Sequence, residues 1–116
     1  MKAMVLKRLC NLTDNRTPLE LMALPVPVPG EKEILLKVSA CGVCHTELDE
    51  IEGRTPPRQL PIIPGHQVVG RVEAIGSKVS DINIGDRVGV AWIFSACGDC
   101  IFCLAGKVIL CQSFEA

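Results

Sequence analysis

The stretch Ala96-Cys97-Gly98-Asp99-Cys100-Ile101-Phe102-Cys103, closed by Cys111 after seven further residues, sets four cysteines at metal-binding spacing. Two residues between successive cysteines let thiolates turn toward a common centre, and a longer return arm supplies the fourth corner of a tetrahedron. Gly98 and Gly106 relax the backbone where such a loop must turn, because glycine tolerates positive φ. The competing arrangement is a pair of disulfides. Against it, the chain has seven cysteines, an odd number, starts without a secretory signal, and packs its C-x-x-C pairs in a way that suits a metal better than two strained bridges. The spacing therefore predicts a zinc lobe over residues 97–111. With thiolate at all four corners no position remains for water or substrate, so this zinc is structural and is not a source of chemistry.

A chain of 116 residues has room for one domain, 1–116, with a modest core. Twelve basic against thirteen acidic residues give a formal net charge of -1, with neither sign gathered into a block, which excludes nucleic acid and anionic membrane as natural partners. The longest apolar run, Val88 to Phe94, is far short of the ~20 residues of a membrane span. Met1 to Lys7 alternates too quickly to be a secretory signal. A cytoplasmic setting follows, with the cysteines kept as thiols or metal thiolates.

Strands are expected over Met1 to Arg8 and Leu19 to Leu24. Proline at every other position of Pro25-Val26-Pro27-Val28-Pro29-Gly30 forces an extended connector. Glu33 to Cys41 alternates as a half-buried strand does, with Ile34, Leu36, Val38 and Ala40 on one face. Thr46 is the expected cap of a short helix, with Asp49 completing a capping-box pattern. Gly53 and Pro56-Pro57 stop that helix. Val68 to Ile75 and Arg87 to Ile93 are further strands, separated by turns at Gly76 and Gly85-Asp86. Short strands, frequent turn signals and one short helix predict a mainly β fold, a small and partly open β-barrel.

A second cluster surrounds the chain's two histidines. In Cys41-Gly42-Val43-Cys44-His45-Thr46-Glu47 a strand ends and a helix begins, and a thiol there faces the positive end of the helix dipole. Cys44 is thus a metal ligand or a nucleophile, or else half of a redox C-x-x-C pair or a small packed hydrophobe. His66, in Pro64-Gly65-His66-Gln67-Val68-Val69-Gly70, is a ligand or simply a hydrogen-bonded residue at a strand start. Together Cys44 and His66 offer two zinc ligands, whereas a catalytic zinc takes three from the protein and keeps one position open. Cys10, Cys41 and Glu47 are the default candidates for the third.

These segments, followed by Ile84-Gly85-Asp86-Arg87-Val88-Gly89-Val90-Ala91-Trp92 and the four-cysteine lobe, occur in an order and at separations that resemble the N-terminal part of the zinc-dependent, medium-chain alcohol dehydrogenases. The resemblance covers nearly the whole chain. It implies a GroES-like β-barrel, the catalytic domain of that family, and oxidation of a primary alcohol to an aldehyde by hydride transfer to NAD or NADP in a full-length enzyme. It further implies that Cys44 and His66 bind a catalytic zinc and that the Thr46 hydroxyl passes the alcohol proton outward. His45 would lie near the cofactor pyrophosphate, and Glu47 would stand where the family has an aspartate that orients the zinc-binding histidine. Cys97, Cys100, Cys103 and Cys111 match the family's structural zinc site.

The sequence departs from that pattern at Gln67, where the family usually has glutamate, at Glu47, one methylene longer than aspartate, and at Val108, where glutamate is common. The chain holds no G-x-G-x-x-G and no βαβ pattern to receive a pyrophosphate. It is accordingly expected to be a truncated dehydrogenase domain, inactive alone. The alternative is a stand-alone, zinc-stabilised module that associates with itself or with a partner chain through an exposed barrel edge.

Overall fold

The computed structural model describes residues 1–115. Strand β1 (Lys2–Leu6) pairs antiparallel with β2 (Leu19–Ala23), Lys2 facing Ala23 and Leu6 facing Leu19. Strands β3 (Ile34–Gly42), β4 (Gln67–Ile75) and β5 (Arg87–Val90) form a second antiparallel sheet in that spatial order. Leu6 joins the first sheet to the segment before His66 by a two-way bridge, its N–H donating to the Ile62 carbonyl at 2.8 Å and its carbonyl accepting from Ile62 N–H at 3.0 Å. Among the described residues the strands form two separate sheets and no closed barrel, the partly open, mainly β arrangement that the short strands and turn signals predict.

The even alternation expected along β3 does not persist. Register shifts between Leu35 and Leu36, and again between Val38 and Ala40, let the strand bend over β4, and Val38 is left 57% exposed. At the far end of β4, Gly76 is required by close approach: a Cβ there would stand 2.0 Å from the Gly30 carbonyl oxygen, where the proline-rich connector crosses. Strand β5 stops at Val90, short of the expected Ile93, because the residues beyond it turn to pair Ser95 with Glu115.

Helix α1 (His45–Glu52) begins earlier than expected, and its cap is different. Cys44 holds the N-cap in extended conformation, its sulfur accepting from Thr46 N–H at 3.3 Å, while the Glu47 carboxylate receives the Cys44 N–H at 2.7 Å. Thr46 is therefore inside the first turn, and Asp49 does not complete a box with it. Asp49 instead serves the other end of the helix. Gly53 closes that end at φ 76°, Arg54 N–H donates to the Asp49 carbonyl at 2.8 Å, and the Arg54 guanidinium bonds both Asp49 and Glu52. Within the lobe, two further short turns appear, helix α2 (Ile101–Leu104) and a 3-10 turn at Val108–Leu110.

The core is small. Among the described residues the buried apolar side chains are Val5, Leu6, Ile51, Val72 and Cys111, and Glu47 is buried with them. Leu21, Val28, Val38, Phe94, Ile101 and Leu104 are all more than half exposed. An apolar groove of about 580 Å³ runs between the sheets, walled by Val26, Leu35, Leu36, Val38, Ile63 and Val68. Among the described residues no helix is long and apolar enough to cross a membrane.

The Arg54 hydrogen bond, against a small desolvation that works the other way, holds the Asp49 carboxyl below its ordinary range. A depressed folded value means that this contribution to stability is present above the unfolded aspartate range, near pH ~4, and is lost as pH falls through the folded value. We expect Asp49→Asn to lower the melting temperature slightly at pH 7 and to match the parent chain below the aspartate range. A stability difference that persists undiminished at pH 2 would contradict this account.

Candidate metal centres

The chain builds two groups of potential ligands: Cys97, Cys100, Cys103 and Cys111, and, separately, Cys44, Glu47 and His66, each group with its donor atoms within 4.8 Å of one another. In the first, the Cys97 sulfur lies 3.5 Å from that of Cys111 and 3.9 Å from that of Cys103. A disulfide would require about 2.05 Å, and all seven cysteines are free. Sulfurs at the corners of a zinc tetrahedron with bonds of about 2.3 Å stand about 3.8 Å apart. The four side chains therefore fit zinc.

Local structure explains how they converge. Cys100 caps α2, accepting Cys103 N–H at 3.5 Å, and Cys111 accepts Ser113 N–H at 3.4 Å. Gly98 and Gly106 turn the chain at φ 83° and 70°. Neighbouring groups also divide the protons among the thiols. The Asp99 carboxylate pushes the Cys97 thiol up to about 12, whereas the Cys97 N–H, helped by that of Ser113, pulls Cys111 down to about 7. Both sulfurs receive backbone N–H groups, so what sets Cys97 apart from Cys111 is the Asp99 carboxylate beside it.

The second group is assembled from the two ends of a loop. Cys44 stands between β3 and α1, Glu47 on the first turn of α1, and His66 immediately before β4. The Cys44 sulfur is 3.5 Å from His66 Nε2, and Glu47 Oε1 is 3.0 Å from His66 Nδ1. Oε1 is shut away from solvent and has no aligned hydrogen-bond donor, so a proton kept on Nδ1 and a small ring rotation would satisfy it. That tautomer leaves the Nε2 lone pair facing Cys44. Burial pushes the Glu47 carboxyl up, but the N–H groups of Cys44 and Glu47 and the charge of His66 outweigh it, and the group lies below its ordinary range, a carboxylate at neutral pH. A zinc bonded to sulfur at about 2.3 Å and to imidazole at about 2.0 Å holds the two atoms about 3.5 Å apart, the separation observed. Cys44 and His66 fit a metal, with Glu47 behind the ring.

The remaining predicted residues fall around this pair. Cys10 and Cys41 join neither ligand group. His45 is largely exposed, its Nδ1 3.4 Å from Asp49 Oδ1. Thr46 is half-buried on a cleft of about 370 Å³ with Asp49, Glu50, Arg58 and Trp92. His66 lines an adjoining cleft of about 620 Å³, where Glu50, Arg58 and Trp92 recur beside Phe94. Sequence reasoning missed Glu50 and Arg58 as cleft walls. For Glu50 a signal existed, since it is three residues after Glu47 and four after Thr46 on the same helix face. For Arg58 none existed, because its placement depends on the path of a proline-rich loop.

A mainly β, GroES-like fold with these two cysteine-containing centres defines a class, and comparison with known proteins agrees with it. Residues 30–116 match the alcohol dehydrogenase GroES-like domain, and the chain belongs to that family. An alcohol dehydrogenase from Moraxella sp. (strain TAE123) is 48% identical over 96 residues, covering 82% of this chain and 28% of the relative. One from Geobacillus stearothermophilus is 43% identical over 98 residues, covering 84% and 29%. The chain thus spans less than a third of the length of these curated relatives. Among solved structures, AibC superposes with a TM-score of 0.86 at 35% identity, covering 97% of this chain and 30% of that one. An NAD-dependent alcohol dehydrogenase superposes with a TM-score of 0.83 at 32% identity, covering 99% and 32%.

Structural zinc in small peptides binds with an apparent ~10–16 kcal/mol, well above the margin of so small a core. Stripping the metal with a strong chelator is expected to raise amide exchange across residues 97–111, and Cys111→Ser to do the same without chelator. Unchanged protection there after metal removal would count against a metal-held lobe.

Proposed function

We propose that this chain is the zinc-binding N-terminal part of an NAD- or NADP-linked alcohol dehydrogenase that converts a primary alcohol to an aldehyde. In this reading 1–116 is one GroES-like domain, Cys44 and His66 hold a catalytic zinc, and Cys97, Cys100, Cys103 and Cys111 hold a structural one. The observation that carries the proposal is the Cys44–His66 pair, sulfur to Nε2 at 3.5 Å, with a buried carboxylate against the opposite ring nitrogen.

When bound, zinc supplies Lewis-acid polarisation of the alcohol oxygen, and the nicotinamide supplies the hydride acceptor. The chain's own residues do the rest. Glu47 holds the His66 ring in one orientation and one tautomer, which keeps Nε2 a ligand and raises its basicity. Thr46, on the cleft beside His66, carries the hydroxyl that passes the substrate proton outward. His45, exposed at the helix start, is free to meet the cofactor pyrophosphate. Trp92 and Phe94 give the cleft an apolar wall for the alcohol's carbon chain. Among the described residues no βαβ unit occurs. Seven cysteines without a disulfide among them suit a reducing, cytoplasmic setting.

Cobalt(II) counting tests the assignment. At saturation the parent chain is expected to take two ions and Cys44→Ser one, with loss of part of the thiolate-to-cobalt absorption. One ion in both would sink the catalytic-zinc assignment while leaving the lobe intact.

The apolar groove between the sheets supports a second reading, assembly with further polypeptide that covers it. Light scattering is expected to show concentration-dependent association of the isolated chain. A monodisperse monomer at high concentration would remove this reading.

A further inference from the structure

The four-cysteine lobe and the cleft above His66 share a mechanical connection that neither zinc assignment requires. Two residues just beyond Cys111 each hold a different wall of the cleft. The Phe114 ring packs on Trp92, centroids 5.8 Å apart and planes tilted by 56°. The Glu115 carboxylate pairs with Arg58 at 3.2 Å. Trp92 and Arg58 both line the cleft that contains His66 and the adjoining one that contains Thr46.

The backbone makes this clasp stiff. Phe94 N–H and Ser95 N–H both donate to the Glu115 carbonyl, at 2.7 and 3.2 Å, and Glu115 N–H returns a bond to the Ser95 carbonyl at 2.9 Å. On the lobe side, Phe114 N–H donates to the Cys111 carbonyl at 3.3 Å. The path from a lobe ligand to the cleft wall is therefore three residues of chain, hydrogen-bonded at both ends. Cys111 is also the one buried cysteine of the lobe, so its position is the most constrained of the four.

We infer that Phe114 and Glu115 are positioning residues, through which metal occupancy of the four-cysteine lobe sets the placement of Trp92 and Arg58 on the walls of the cleft. The lobe then does more than hold its own loop together. Filling it fixes Cys111, which fixes the Phe114-Glu115 segment, which draws two cleft side chains into place. Emptying it frees all three. The inference uses the lobe as a metal site but does not depend on the alcohol dehydrogenase activity proposed above.

The chain contains one tryptophan and no tyrosine, so its intrinsic fluorescence reports Trp92 alone. Zinc is titrated into the reduced, metal-free full chain in a Cys44→Ser background, which removes any contribution from the Cys44–His66 pair. Filling the lobe is expected to shift Trp92 emission and to reduce its quenching by acrylamide. An aromatic pair is worth enough for a roughly two- to tenfold preference for the packed arrangement, and the quenching constant should change by up to that factor. Adding Phe114→Leu should abolish the response while native mass spectrometry still finds one zinc per chain, and Phe114→Tyr should restore it under red-edge excitation that tryptophan absorbs and tyrosine does not. Glu115→Gln, a milder change, should weaken the response without altering the zinc count. A Trp92 response that survives Phe114→Leu at full zinc occupancy would overturn the inference, as would a parent chain whose emission and quenching ignore zinc. Should Phe114→Leu lose zinc or its folded circular dichroism, the Glu115→Gln result decides: a response equal to the parent's overturns the clasp, and a weakened one supports it.

Discussion

One buried carboxylate ties the second metal centre to the fold. Glu47 receives the Cys44 N–H through Oε2 and faces His66 Nδ1 through Oε1, so the same side chain starts helix α1 and sets the histidine that precedes β4. A carboxylate shut away from water is costly unless its charge is met on both oxygens. Here the Cys44 N–H at the helix start meets one oxygen, and the other lies 3.0 Å from the His66 ring, a small rotation from being met. The length of the glutamate side chain lets its two oxygens reach toward both partners.

The cysteine lobe obeys a different constraint. It has almost no apolar interior of its own, with Ile101 and Leu104 turned outward, so convergence of its sulfurs is the chief interaction that can hold it. Backbone N–H groups from Cys103 and Ser113 are already aimed at the sulfurs of Cys100 and Cys111, which is the solvation a thiolate needs before and after it meets a metal. The segment leaving the lobe then returns against β5's continuation, where Trp92 and Arg58 stand. The four-cysteine loop and a cleft lined by aromatic and charged side chains are thereby parts of one structure.

Much of this was legible in local sequence. All five strands were located to within a few residues, β3 by alternation and the others largely by apolar runs set between turn residues, and the C-x-x-C spacing located the lobe, because these signals lie in neighbouring residues. The helix cap was misplaced for a physical reason: a cysteine is a weak acceptor and a poor cap by propensity, and Thr46 with Asp49 satisfied the pattern better than Cys44 with Glu47. What decided the matter was His66, twenty-two residues on, whose ring draws Glu47 inward, while Arg54 draws Asp49 the other way. The bulges in β3 were equally invisible, since they answer the curvature of the sheet.

The sequence by itself determined the mainly β fold class, the position of the four-cysteine lobe and the residue types available to two candidate metal centres, because spacing along the chain dictates which side chains share a strand face or a tight loop. Only the tertiary structure decided that Cys44 and His66 meet at metal-ligand separation, that Cys10 and Cys41 stay apart from them, and that Trp92 and Arg58 are held from beyond Cys111. Those are contacts between segments distant in sequence, set by the packing of two sheets and a loop, and no local periodicity encodes them.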